Sequence, residues 1–204
     1  MKRKVNVLFK IVLAIVIFGC SSDSNEQPSP EPQVKTCGSY PEQSTSKYIL
    51  PYEIGKTFVI GQGNCSPIGR SHAIGSLDQY SYDILMPIGT NITAARGGIV
   101  NKVVENFAEN NGTPGQENVI EINHGDGTFG VYFHITHNGS LVSQGEQITQ
   151  GQLIALSGNT GNSSAPHLHF HVWKVSTTIP TVFKNTIRHP EGLQEGISYT
   201  AEPY

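Results

Sequence analysis

Between residues 49 and 173 the chain alternates short apolar runs with polar, glycine-rich breaks. The runs are rich in Val, Ile, Phe, Tyr and Thr and fall at 57–60, 82–86, 98–106, 118–124, 128–135, 152–157 and 167–175. Gly, Asn, Asp and Ser separate them, which predicts strands and turns, and helical periodicity is nearly absent. The tightest pattern surrounds Gly125, Asp126 and Gly127, where an alternating run on each side predicts a β-hairpin. Residues 106–116 and 157–166 predict polar loops. The expected fold class is all-β, a single, mainly antiparallel sheet or sandwich domain. After Trp173 the pattern weakens, and residues 176–204 read as a C-terminal tail.

The first segment has a different character. Lys2, Arg3, Lys4 and Lys10 precede the apolar run 11–18, which ends in Gly19, Cys20, Ser21 and Ser22. The run is too short for the roughly 20 residues of a membrane-spanning helix, so residues 1–19 predict an export signal. A small residue before Cys20 resembles the bacterial lipoprotein box, in which the cysteine is lipidated and becomes the first mature residue. The alternative is an ordinary secretory signal. Residues 20–36 then form the lipidated cysteine and a Ser, Pro, Glu and Asn linker too polar to offset its own ordering entropy.

Removing residues 1–19 takes away four of the 13 Lys and Arg and none of the 16 Asp and Glu. The formal charge falls from −3 to −7, which argues against nucleic acid as a partner. Cys37 and Cys65 remain, and in an exported chain an even pair points to a disulfide rather than a metal site. Such a bridge contributes roughly 3–4 kcal/mol by the chain-entropy relation.

The chain has eight histidines. On a strand, residues i and i+2 share a face, so His167, His169 and His171 point one way while Leu168, Phe170 and Val172 point the other. Neutral imidazoles ranged on one face suit a divalent cation; hydrogen-bonded histidines on a solvated face are the plainer reading. The same alternation places Tyr132 and His134 on one face of the hairpin. Asp83 stands inside the apolar run 82–86, where a carboxylate needs a partner. His72 precedes it, with ten residues between them.

His72, Tyr82-Asp83-Ile84, the run from Pro87 to Gly98, the block from His124 to His134, Ser157-Gly-Asn-Thr-Gly161 and Pro166-His-Leu-His-Phe170 occur in this order. Together they resemble the lysostaphin-type zinc metallopeptidases over about residues 49–173. The resemblance implies a metallopeptidase domain at 37–175 with one Zn2+ in an open groove. It assigns His72, Asp83 and His169 as ligands, and His134 and His167 as catalytic imidazoles whose division of roles stays open. Many members place the first histidine four residues before the aspartate; here the interval is longer, and Asp78 is a rival acidic ligand. Tyr132 is a candidate for hydrogen bonding an intermediate. His171 reads as supporting or solvated, and His124, His137 and His189 as structural or exposed.

Two His and one Asp leave a fourth zinc position for water, the arrangement of a catalytic site. No His-Glu-x-x-His motif is present, so imidazole has to act as the base. The resemblance implies an endopeptidase that cuts peptidoglycan stem peptides or cross-bridges. The expected setting is the bacterial cell envelope, with a lipid anchor on the periplasmic or cell-surface face of a membrane and a monomeric state. Two alternatives are a catalytically silent wall-binding regulator and a zinc protease acting on extracellular proteins.

Overall fold

A computed structural model of the protein describes residues 37–204. The expected signal 1–19, the Cys20 lipidation site and the linker 20–36 lie outside the described residues. Among the described residues the only helix is the 3-10 turn Gln43–Thr45. The strands are β1 (Thr57–Gln62), β2 (Tyr82–Leu85), β3 (Asn91–Thr93), β4 (Gly98–Val104), β5 (Val119–Asn123) and β6 (Thr128–Phe133). They continue with β7 (Ile135–Ser140), β8 (Gln147–Ile148), β9 (Leu153–Ser157), β10 (His167–Lys174), β11 (Thr177–Thr178) and β12 (Ser198–Thr200). All seven runs expected from the sequence form strands, and the fold is all-β.

The larger sheet runs β12-β1-β2-β10-β6-β5-β4-β8, with β11 also on β10, and the smaller runs β3-β9-β7. Every strand pair is antiparallel. Alternation explains which face is buried. Leu168, Phe170 and Val172 of β10 are fully buried, as are Ile84 of β2, Tyr132 of β6 and Ile120 and Ile122 of β5. They share one core with Ile92, Ile154 and Ala155 of the smaller sheet. Each such side chain contributes roughly 1.5–3 kcal/mol by burial. The opposite face of the larger sheet stays open, and the cleft lies there.

Residues 176–204, expected as a tail, belong to the folded body. Residues 37–204 belong to one compact unit, with β11 on β10 and β12 on β1. Val182, Phe183, Leu193, Tyr199 and Ala201 are buried. The His189 ring accepts the Phe183 N–H at 2.9 Å and donates to the Ile187 carbonyl at 2.7 Å. These anchors are single residues between turns, so they leave no period for a pattern reading to find. Cys37 and Cys65 are paired, with Cα atoms 5.8 Å apart.

Candidate metal centre

The site starts from a register. β10 and β2 pair so that His169 stands directly opposite Asp83, which brings side chains on one face within reach of each other. His169 Nδ1 lies 2.9 Å from Asp83 Oδ1. Below them Leu168, Phe170 and Ile84 are fully buried, so the polar pair sits on a packed floor.

His72 arrives from the long connection 63–81. Ser66 folds this segment back by donating its N–H to the His72 carbonyl at 2.8 Å and accepting from Ile74 at 3.2 Å. The Cys65 N–H donates to the Gln79 carbonyl at 2.7 Å, and the disulfide ties Cys65 to the start of the domain. The His72 ring is fully buried. Its Nδ1–H donates to the Gly63 carbonyl at 3.1 Å, which leaves Nε2 as the free lone pair of the neutral ring. That nitrogen is 3.4 Å from Asp83 Oδ1 and 3.3 Å from His169 Nδ1.

His134 reaches the same place by a break in alternation. It stands between β6 and β7 with φ +61°, a left-handed backbone that is uncommon for a residue with a β-carbon. The twist turns its ring into the cleft beside Phe133. Its Nδ1–H donates to the Thr160 carbonyl at 2.6 Å. Thr160 is held in turn: its hydroxyl donates to the Ile135 carbonyl and accepts the Asn118 N–H, both at 3.0 Å. Gly161, at φ +73°, has its missing β-carbon against Glu117, so the loop closes only with glycine there.

His167 completes the group. Its Nδ1–H donates to the Ala165 carbonyl at 2.8 Å, Nε2 lies 3.5 Å from Asp83 Oδ1, and its ring centroid is 4.5 Å from that of His134. His134 and His167 therefore both commit Nδ1 to backbone carbonyls, and His167 Nε2 is left to face Asp83.

The electrostatics divide the rings. Burial pushes His134 down to about 4, with help from His167 and His169 and against the Thr160 carbonyl and Asp83. Burial also disfavours a charged His167, but its hydrogen bond and attraction to Asp83 outweigh that and raise it. Burial works to raise Asp83, yet the imidazoles of His167, His169 and His72 around it hold it well below the usual carboxylate range. A cation on Asp83 would cancel the attraction that raises His167 and favour neutral imidazoles throughout.

The ligand atoms of His72, Asp83 and His169 lie within 4.8 Å of one another. A neutral His72 ring already uses its proton on Gly63, so its lone pair faces a carboxylate oxygen and another ring nitrogen. A divalent cation satisfies such converging lone pairs, and a two-nitrogen, one-oxygen set suits zinc among the transition metals. The residues fit the group.

Three placements differ from expectation or add to it. Tyr132, a candidate for contact with an intermediate, is fully buried on the core side, where its hydroxyl accepts the Ala95 N–H at 2.8 Å. Its assumed sharing of a face with His134 fails because the left-handed residue interrupts the period of two. His171 is buried, with Nδ1 3.2 Å from both His169 Nε2 and Ser81 Oγ. Asp78, the rival ligand, forms a second close group with His169 and His171. Away from the centre, His124 stacks edge-on with Tyr48, and His137 Nδ1 lies 3.3 Å from the Phe107 carbonyl.

The cleft holds about 570 Å³ and is lined by His134, His167, His169 and Asp83, with Phe133 and Trp173 on the sheet and Ser163 on the facing loop. Phe133 is adjacent to the His134 turn, and Trp173 follows the i+2 rule from His171. Trp173 was therefore legible as a residue of the open face, whereas Phe133 was not, because the alternation that put Tyr132 and His134 on one face put Phe133 on the other.

An all-β domain with His and Asp side chains that could hold a metal ion on an open sheet face defines the class. The chain belongs to peptidase family M23, whose profile matches residues 78–181. The match includes Asp83, His134, His167 and His169 and begins after His72. Among similar proteins is the peptidoglycan DD-endopeptidase ShyA of Vibrio cholerae, 36% identical over 90 residues, which are 44% of this chain and 19% of that protein. Lysostaphin of Staphylococcus simulans is 39% identical over 92 residues, 45% of this chain and 17% of that one. The chain thus spans less than a fifth of the length of either relative. The fold resembles the catalytic domain, in mutant form, of the prophage-encoded M23 protein EnpA from Enterococcus faecalis. That likeness has a TM-score of 0.50 and 20% identity, and covers 64% of this chain and 93% of that one.

Proposed function

We propose that this protein is a zinc-dependent endopeptidase that hydrolyses peptide bonds in peptidoglycan. The observation that carries the reading is the convergence of His72, Asp83, His134, His167 and His169 at one place in an open cleft. The names of the relatives support the substrate: one is a peptidoglycan DD-endopeptidase, another is lysostaphin.

His72 Nε2, Asp83 Oδ1 and His169 Nδ1 would hold the metal. When bound, zinc on three protein ligands supplies a Lewis acid that polarises a scissile carbonyl and lowers the pKa of water to about 7. The protein's own contribution is orientation and proton transfer. His134 and His167 are fixed by Thr160 and Ala165 so that each presents Nε2 to the cleft. In that tautomer a neutral ring accepts a proton from attacking water, and the imidazolium so formed returns it to the leaving amine. The other ring, when it carries the proton, donates to the developing oxyanion. The open sheet face leaves room for an extended peptide on both sides of these groups.

The test is zinc content together with release of soluble peptides from purified cell walls. We expect about one zinc per chain and peptide release by the parent. Cleavage of casein but not of walls would move the substrate to extracellular proteins. Zinc binding without cleavage of either would leave the silent wall-binding regulator. We further infer that Cys20 carries a lipid that tethers the domain to the cell envelope through residues 20–36. Cys20→Ala should move the protein from the membrane fraction to the soluble fraction, and unchanged fractionation would refute the anchor.

A further inference from the structure

His169 belongs to two potential ligand groups at once. Its Nδ1 edge faces Asp83 and His72. Its Nε2 edge faces His171 at 3.2 Å, and Asp78, His169 and His171 have ligand atoms within 4.8 Å of one another. Asp78, like His171, lines the same cleft. Among the described residues the Asp78 carboxylate accepts no hydrogen bond and meets no Lys or Arg.

Asp78 is also held firmly for a loop residue. The Thr178 N–H donates to the Leu77 carbonyl at 3.1 Å and the Thr178 hydroxyl to the same carbonyl at 2.8 Å. On its other side Ser81 N–H donates to the Asp78 carbonyl at 3.0 Å and Tyr80 N–H to the Thr178 hydroxyl at 3.1 Å. The neighbouring Gln79 carbonyl is bound to Cys65 N–H. β11 and the disulfide-linked segment therefore set the carboxylate against β10, while His171 is fixed in the sheet with Ser81 beside it.

We propose that Asp78, His171 and the Nε2 edge of His169 form a second divalent-cation position, which competes with the first for His169. This rests on the first centre being the zinc site described above. A neutral imidazole has one free lone pair, so His169 serves one cation at a time. The second position is the weaker of the two while the first is filled, since it then has only Asp78 and His171. As the cation concentration rises it draws His169 away from Asp83 and His72, and the cleft loses its working arrangement. The device makes activity fall at excess zinc in a manner that depends on Asp78, a residue outside the first ligand set.

The experiment is a zinc titration of the full chain by equilibrium dialysis with elemental analysis, on the parent, Asp78→Asn and His72→Ala. Wall-digesting activity is read at stoichiometric and excess zinc. The parent should take up one cation tightly and a second weakly, and its activity should drop at excess zinc. Asp78→Asn is isosteric and should keep the tight class, lose the weak one, and need roughly 10-fold more zinc for the same drop. A weak class and zinc response unchanged in Asp78→Asn would overturn the proposal, as would a parent that never exceeds one cation. Loss of the tight class in His72→Ala reports on the first centre alone, so the two readings can fail separately.

Discussion

β10 and the junction of β6 with β7 both deliver histidines to one cleft, by opposite means. β10 is regular: its alternation sends His167, His169 and His171 to the open face and Leu168, Phe170 and Val172 into the core. The junction is irregular: His134 turns into the cleft because its backbone is left-handed at φ +61°. The regular strand anchors His169, its candidate metal ligand, through core packing beneath it. The irregular one stores a modest strain and depends on Thr160 and the loop around Gly161 to keep the ring in place.

The comparison is broken most severely at His169. His169→Ala should abolish wall hydrolysis and remove tightly bound zinc, whereas His134→Ala and His167→Ala should keep the zinc and lower activity by roughly 10²–10⁴-fold. Zinc analysis beside a kinetic assay separates the two outcomes, and zinc loss in all three variants would contradict the division into ligands and proton carriers.

Next in size is the floor of β10. Phe170 is fully buried against Tyr132 and Phe183, so Phe170→Ala should cost roughly 3–5 kcal/mol in denaturant unfolding. A similar change at exposed Val175 should be nearly silent.

The hairpin itself offers a pH test. His124, before the turn, is pushed down to about 4 mainly by burial and secondly by Arg96, with Asp126 acting in the other direction. A histidine depressed in the folded state stays neutral while the unfolded chain takes up a proton. Stability should therefore be insensitive to this group above pH 6.5 and decline as pH falls from about 6.5 to about 4. Urea unfolding of the parent and His124→Gln across that window should show a shallower decline in the variant.

The smallest effect separates strain from chemistry. At a left-handed position glycine pays no steric penalty, so His134→Gly should be more stable than His134→Ala by roughly 1 kcal/mol, although both lack the ring. Equal melting temperatures would show that the junction is not strained.

Much of this was legible before folding. The hairpin around Gly125 to Gly127, the strand nature of all seven runs and the sorting of β10 into a core face and a histidine face are local properties. The period of two and the preferences of turn residues express them within a few positions. Asp83 was legible as well, because a carboxylate among apolar strand residues stands out. Tyr132 was misread by the same rule that worked for β10, since one left-handed residue shifts every later side chain to the other face. The body formed by residues 176–204 was hidden because its anchors, such as Phe183 and Tyr199, are single residues with no repeat.

Residue types and their order were enough to name the fold class, the family resemblance and, through that resemblance, all five candidate site residues: His72, Asp83, His134, His167 and His169. How His72 reaches the others only the folded chain shows. It lies ahead of the family match, separated from Asp83 by ten residues, and reaches it only because Ser66, Cys65 and the Cys37 bridge double the segment back. The second group around Asp78 likewise exists only through contacts between β10 and a loop 90 positions earlier. Alternation is written in neighbouring residues, whereas loop closure and ring orientation depend on distant partners that no local pattern contains.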